Sequence, residues 1–257
     1  MTTVTGYQQL TRNLDKSLAR VATRADVKRE TEYFLMHIGD VDTIDDFLKD
    51  DRLYRFAMTA HGLKDMIYGK AFMKKVLGEG IDGRNAFAVQ LADQRFRDFA
   101  ETFNFARHGK TATTFTKAQQ GTAVKFVRIM LEDEAGKTDE GIRLALYFKR
   151  KAPQVTSIFG LMGDPALFKV VQTALGLPQA SSSVDIDRQA ALIGSKIDFA
   201  EIKDGTGVEA FLTKFTARWQ MANSNAAAAA PQIGLSQNLL TTLDSGTLIA
   251  LQSLRRN

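Results

Sequence analysis

The chain reads as all-α, with two related helical units joined by long helices into one multi-helix bundle. Three observations predict this class. Apolar residues recur at three- and four-residue spacing almost everywhere, while alternating β-branched runs are nearly missing. Only four prolines occur, Pro153, Pro165, Pro178 and Pro231, so no proline breaks a helix in the first 150 residues. A long sequence signature also repeats once, 114 residues on.

The elements follow in chain order. Residues 1–36 read as one long amphipathic helix, with Leu10, Leu14, Leu18 and Val21 as its stripe and Val4, Tyr7 and Ala25 beside it. Asp42 or Thr43 suits the N-cap of a helix holding Phe47, and Asp50 that of the next, beginning near Arg52. Phe96, Phe99, Ala100, Phe103 and Ala106 form a second stripe; Phe115, Ala118, Thr122, Phe126, Ile129 and Met130 form a third. Ile142 to Phe148 (IRLALYF) is apolar enough for a strand. Helix is the better reading, because Gly141 precedes it and Lys149-Arg150-Lys151 suits the negative end of a helix dipole. Asp164-Pro165 pairs an N-cap with proline at the first helical position, and Gly176-Leu177-Pro178 ends that helix.

The repeat runs from Asp50-x-x-Leu53-Tyr54-Arg55-x-Ala57-x-Thr59-Ala60-x-Gly62-Leu63 to Asp164-x-x-Leu167-Phe168-Lys169-x-Val171-x-Thr173-Ala174-x-Gly176-Leu177. Upstream, Val41, Ile44, Phe47 and Leu48 map onto Val155, Ile158, Leu161 and Met162. Downstream, Leu77-Gly78 and Ile81-Asp82 match Ile193-Gly194 and Ile197-Asp198 with a two-residue shift, and Phe99 and Phe103 echo Phe211 and Phe215. Shifts of this kind belong in loops. The expected organisation is a helix over 1–36, then a core over 37–223 with copies at about 40–110 and 154–222. Long helices at about 113–152 join the copies. An alanine-rich linker (SNAAAAAP, 224–231) and an amphipathic tail carrying Leu235, Leu239, Leu243, Leu251 and Leu254 complete the chain to residue 257.

Composition excludes several classes. The 34 basic and 29 acidic residues give a net charge of +5, spread along the chain and short of a nucleic-acid signature. Zero cysteines rule out disulfides, thiolate metal sites and a cysteine nucleophile. Arg12, Lys16, Arg20 and Arg24 punctuate the N-terminus with no apolar h-region, and no run approaches the roughly 18 apolar residues of a membrane span. The expectation is a cytoplasmic protein without a transmembrane segment.

Motif by motif, chemistry is scarce. Gly78-x-Gly80-x-x-Gly83 matches a dinucleotide fingerprint, but what precedes it reads as helix, so the glycines read as a helix end and loop. The aspartates at 40, 42, 45, 46, 50 and 51 do not follow a calcium-loop spacing and read as helix caps. His37, His61 and His108 stand apart from one another, and His61 occupies the slot that Leu175 fills in the second copy, which favours packing. No catalytic, cofactor-binding or metal-ligating residues are assigned, and no cofactor is expected. Lys149-Arg150-Lys151, with Arg143, is the densest basic run, and nucleic acid is not an expected partner.

Gly141 to Pro153, with Asp164-x-Ala166-Leu167, Thr173-Ala174-Leu175-Gly176-Leu177-Pro178 and Asp185-Ile186-Asp187-x-Gln189-Ala190, resembles a bacterial family catalogued as domain of unknown function 1217. Asp50 to Leu63 and Leu91-Ala92-Asp93-x-Arg95-Phe96 fit it as well, so the resemblance spans about residues 30–222. It implies an all-helical alphaproteobacterial protein whose genes often lie among flagellar genes, with no activity and so no catalytic residues to carry over. The expected function is therefore non-enzymatic: protein–protein contacts in flagellar assembly or motility, through the Leu10/Leu14/Leu18 stripe and the Leu239/Leu243/Leu251 tail. Signal-less export through the flagellar apparatus fits the same setting. One alternative is an enzyme or small-molecule-binding protein with its site between the copies, around His61 or Tyr147. A second is a cytosolic nucleic-acid or membrane-surface binder. Oligomeric state is left open.

Overall fold

Side-chain caps mark the start of most of the helices. The computed structural model describes residues 2–91, 93–177 and 185–229, with side chains to residue 224. The chain divides into two units, Met1–Met221 and Ala222–Asn257, and the fold and cleft below belong to the first. Among the described residues there is helix and no strand.

The N-terminal stretch forms α1 (Thr3–Arg12), α2 (Leu14–Ala22) and α3 (Ala25–His37), three helices where one was expected over residues 1–36. The cause is local. Asn13 leaves helical geometry (φ −140°, ψ 71°) and its side chain accepts from the Lys16 N–H, so it ends one helix and caps the next. Arg24, extended at φ −60° and ψ 135°, makes the second break. Breaking twice lets the segment wrap the bundle: α1 packs on the later helix at 140–151, and α2 and α3 on the helix at 120–138. Tyr7, Val21, Val27 and Phe34 are buried, and Leu10, Leu14 and Leu18 pack against the core. The leucine stripe expected as a contact surface is thus largely spent inside the molecule.

The first half continues with α4 (Ile44–Lys49), α5 (Asp51–Ala60), α6 (Lys70–Glu79), α7 (Phe87–Gln90), α8 (Gln94–Thr102) and α9 (Phe105–His108). Thr43 caps α4 and Asp50 caps α5, its carboxylate accepting from the Arg52 and Leu53 N–H groups at 2.9 and 3.0 Å. Around Phe47 gather Tyr54, Phe99, Phe103 and Phe105, with ring centroids 5.0–6.3 Å from it. Aromatic pairs at such separations add about 0.5–1.5 kcal/mol beyond area burial.

Two long helices follow, α10 (Gln120–Thr138) and α11 (Glu140–Lys151). The third stripe joins its helix only at Gln120; Phe115 and Ala118 stand on turns before it. Residues 142–148 are helical, as the flanking signals predict, with Asp139 as the cap. At Gly141 helices meet so closely that a Cβ would lie 2.3 Å from Trp219 and 2.8 Å from Thr3.

The second half comprises α12 (Ile158–Gly163), α13 (Pro165–Leu175), α14 (Ile186–Gly194), α15 (Phe199–Asp204) and α16 (Val208–Ala229). Asp164 caps α13 as predicted. Gly62 and Gly176 both turn left-handed (φ +73° and +67°) just past α5 and α13. In each case the next residue, Leu63 or Leu177, donates to the carbonyl five residues back at 2.8 Å, the Schellman closure that favours glycine. The alanine run expected as a linker extends α16 to Ala229, in keeping with alanine's high helix propensity. Residues 230–257, including the leucine tail, lie outside the described residues.

Candidate functional site

A cleft of about 1110 Å³ opens between the two halves. Its first wall is charged: Lys64 and Asp65 follow α5, and Asp93, Arg95 and Asp98 come from the start of α8. The opposite wall is mainly apolar, made by Val155 before α12, Phe159 of α12 and Pro165, Ala166 and Leu167 of α13, with Gln154, Thr156 and Asp164 as its polar members. Its floor comes from α10 and α11, with Ile129, Glu132 and Asp133 on one and Arg143, Tyr147 and Lys151 on the other.

The floor carries a buried charge network. The Glu132 side chain is only 4% exposed, and Arg150 donates to both its oxygens at 2.7 and 2.8 Å. Arg128 stands 3.7 Å away on the other side. Arg150 also lies over the Tyr147 ring at 5.1 Å, and the Tyr147 hydroxyl donates to Asp164 at 2.6 Å. Burial first, and then the bond to Asp164, holds the Tyr147 phenol well above its ordinary range, so it stays a neutral donor. Four side chains from three helices are thereby locked in one arrangement, and the cap of α13 is tied to the cleft floor. On the charged wall, Arg95 grips Asp93 through two nitrogens, at 2.9 and 2.7 Å, and donates to the Gly62 carbonyl. Burial raises the Asp93 carboxyl, but the Arg95 bonds outweigh it and keep the group below the usual carboxylate range.

Of the residues singled out in the sequence, Tyr147 and Arg143 line the cleft and His61 does not. His61 is buried edge-on against Phe99, with ring centroids 5.2 Å apart, and its Nε2 has no partner among the described residues. Burial, with Lys125, Lys151 and Lys117 nearby, pushes it well below the ordinary histidine range, so it is a neutral packing residue. Gly80 ends α6 with φ +63° and a Cβ there would meet Ala106 at 2.8 Å, so Gly78 to Gly83 are a helix end and loop. His37 stacks on Tyr33, and His108 meets Phe115 edge-on, far from His37 in the chain. Lys149, Arg150 and Lys151 each pair with a carboxylate, Glu209, Glu132 and Asp98 respectively, so they form no open basic strip. Among the described residues no three His, Asp or Glu side chains gather as metal ligands. No helix there is long and apolar enough to cross a membrane.

Sequence reasoning missed Glu132 and Phe159, and met Arg95 only as one of the residues that carry the family resemblance. Glu132 left no signal, because it stands in the acidic run Glu132-Asp133-Glu134 and only its burial in the fold sets it apart. A carboxylate is almost never fully buried unless paired.

Fold and cleft together define an all-helical protein with a preformed inter-half cleft and a buried ionic floor. The profile of the family described as "Protein of unknown function (DUF1217)" matches residues 60–208, more than half the chain, and the chain belongs to that family. It is similar to protein AGR_C_984 from Agrobacterium tumefaciens, a structural-genomics crystal structure, at 44% identity over 86% of this chain and 94% of that one, with a TM-score of 0.79. No curated protein matches the chain.

Proposed function

We propose that this protein is a non-enzymatic recognition protein, working through protein–protein contacts in flagellar assembly or motility, with the inter-half cleft as its contact site. One observation carries the reading: a cleft of about 1110 Å³ whose mainly apolar wall faces a charged one. A pocket for a drug-sized molecule spans roughly 300–1,000 Å³ and is mostly apolar. This one lies just above that range and is two-sided, which suits a segment of protein chain. The charged side chains at the cleft are engaged mainly with one another, as structural ion pairs are. The flagellar setting rests on the family resemblance and the gene placement it implies.

The reading takes the two halves as copies of one unit. Supporting that, α3, α4 and α5 have counterparts α11, α12 and α13 at an offset of about 114 residues, with matching caps at Thr43 and Ser157 and at Asp50 and Asp164. By this alignment α3 belongs to the first copy, which begins earlier than residue 40.

The test is complementation. A motile host lacking the gene is supplied with the wild-type chain or with Phe159→Asp, and swimming and soluble protein level are measured. Normal motility with Phe159→Asp at wild-type level would overturn the cleft as the contact site. Normal motility in the deletion strain would overturn the flagellar role. Blotting cytosol, supernatant and basal bodies with and without the export gate separates an exported component from a cytosolic one. A second reading, a small-molecule site, is favoured by the Tyr147–Asp164 pair on the cleft floor, and a metabolite thermal-shift screen tests it.

A further inference from the structure

We propose that the occupant of the cleft is a basic amphipathic helix of a partner protein, held by the second half of the molecule and anchored on Phe159. This rests on the cleft being a protein-contact site, and it adds the chemistry of the partner and the half that receives it.

The two halves treat equivalent positions in opposite ways. In the first, Asp45 of α4 pairs with Lys74 of α6 at 2.6 Å, and Asp51 of α5 pairs with Lys70 at 2.5 Å. At the repeat offsets of 114 and 116 residues, those four positions are Phe159, Ala190, Pro165 and Ile186. Every charged residue of the two ion pairs has an apolar counterpart. Phe159 is 51% exposed and Ile186 58% exposed. Phe159 and Pro165 also line the cleft, so this apolar surface runs directly into it. A large aromatic half out in water, where its counterpart is a solvated carboxylate, is what an unfilled anchor site presents.

Charge selects the partner's polar face. The chain is basic overall, at +5, yet the cleft is lined by four cations and six carboxylates. Of the cations, Arg95, Arg143 and Lys151 are held by Asp93, Glu140 and Asp98. Lys64 alone meets no carboxylate at ion-pair distance among the described residues. Asp133 and Asp164 meet no cation there, and Asp65 shares Arg95 with Asp93, at 3.5 Å, just as Lys151 meets Asp98 at 3.5 Å. The uncompensated charge facing the cleft is therefore negative. Size fits too: a helix about 10 Å across occupies roughly 120 Å³ per residue, so the cleft takes about nine residues, or two and a half turns. An amphipathic helix would set its apolar stripe on Phe159 and its lysines or arginines toward Asp65, Asp133 and Asp164.

The experiment uses the full chain and three fluorescein-labelled 18-residue peptides. One is a leucine–lysine amphipathic helix, one replaces each lysine with glutamate, and one is the lysine peptide scrambled to remove amphipathicity. Anisotropy is read at 50 and 500 mM salt. The lysine helix is expected to bind at least tenfold tighter than either control, to weaken severalfold at high salt, and to lose tenfold or more with Phe159→Asp. Asp133→Lys, a change at a partly exposed position, should weaken it severalfold with the melting curve unchanged, and Asp45→Ala should have no effect. Equal binding of lysine and scrambled peptides would overturn the proposal. So would glutamate-helix binding that depends on Phe159, although the cleft would then stand as a contact site. Binding of no peptide in a Phe159-dependent way would remove both.

Discussion

Tyr33 and Tyr147 stand 114 residues apart and do the same work: each donates its hydroxyl to the aspartate that caps the helix after next, Asp50 at 2.9 Å and Asp164 at 2.6 Å. Each also lies under an arginine, Arg52 at 3.8 Å and Arg150 at 5.1 Å. The arginines come from different places, and their carboxylates differ as well: Glu30 on the solvated surface of α3, Glu132 in the cleft floor. Elsewhere the halves part company. The first is closed by aromatic rings around Phe47 and ringed by exposed ion pairs, while the second exposes Phe159 along a cleft. Caps and left-handed glycines occur in both halves because the backbone needs them. Exposed ion pairs contribute about 0–1 kcal/mol each, so a half that lacks them loses little stability.

The comparison predicts its largest contrast in the core of the first half. Phe47→Ala should cost about 3–5 kcal/mol, whereas Phe159→Ala in the second should stay within about 0.5 kcal/mol, both read from chemical denaturation. Similar losses at the two positions would mean that Phe159 is structural and the asymmetry illusory. Removing Glu132 should be as damaging: Glu132→Leu leaves Arg150 and Arg128 facing each other in a buried site and is expected to cost about 3–5 kcal/mol.

Next comes the shared tyrosine. Tyr147→Phe deletes a buried bond to a charged acceptor and should cost about 1.5–3 kcal/mol. Tyr33→Phe, at the more exposed counterpart, should cost clearly less. Equal losses would show that the tyrosines serve the caps alone and that the cleft floor adds nothing.

A smaller effect, of opposite sign, is expected at His61. Its Nε2 is buried without a partner, and Leu175 fills the matching slot, so His61→Leu should stabilise the protein by about 1 kcal/mol at neutral pH. The pH dependence has a defined direction. His61 is depressed in the folded state, so below about pH 6.5 the unfolded chain takes up a proton that the folded chain refuses, and stability falls as pH falls. Melting temperatures from pH 8 to 5 should decline less steeply in His61→Leu than in wild type. Parallel curves would contradict this account of the site. The smallest effect is Asp45→Ala, expected to cost less than about 1 kcal/mol.

Much of this was legible before any coordinates. The all-α class, the helix over residues 142–148, the caps at Asp50 and Asp164, the cap before Phe47 as either Asp42 or Thr43, and the glycine stop at Gly176 all depend on interactions within a few residues, and those patterns are written contiguously in the chain. The packing role of His61 was also readable, from its leucine counterpart. Tertiary structure decided what required distant partners. Residues 1–36 break locally at Asn13 and Arg24, but only packing decides that the three helices wrap the bundle and set the partly buried Leu10/Leu14/Leu18 stripe against the core. Packing tied Lys149, Arg150 and Lys151 to Glu209, Glu132 and Asp98, converting the densest basic run into internal ion pairs. It also built the cleft from segments as far apart as Lys64 and Leu167. Periodicity says which face of a helix is apolar; which helix covers that face, and which side chain is left uncovered, is set only when all the faces compete for the same core.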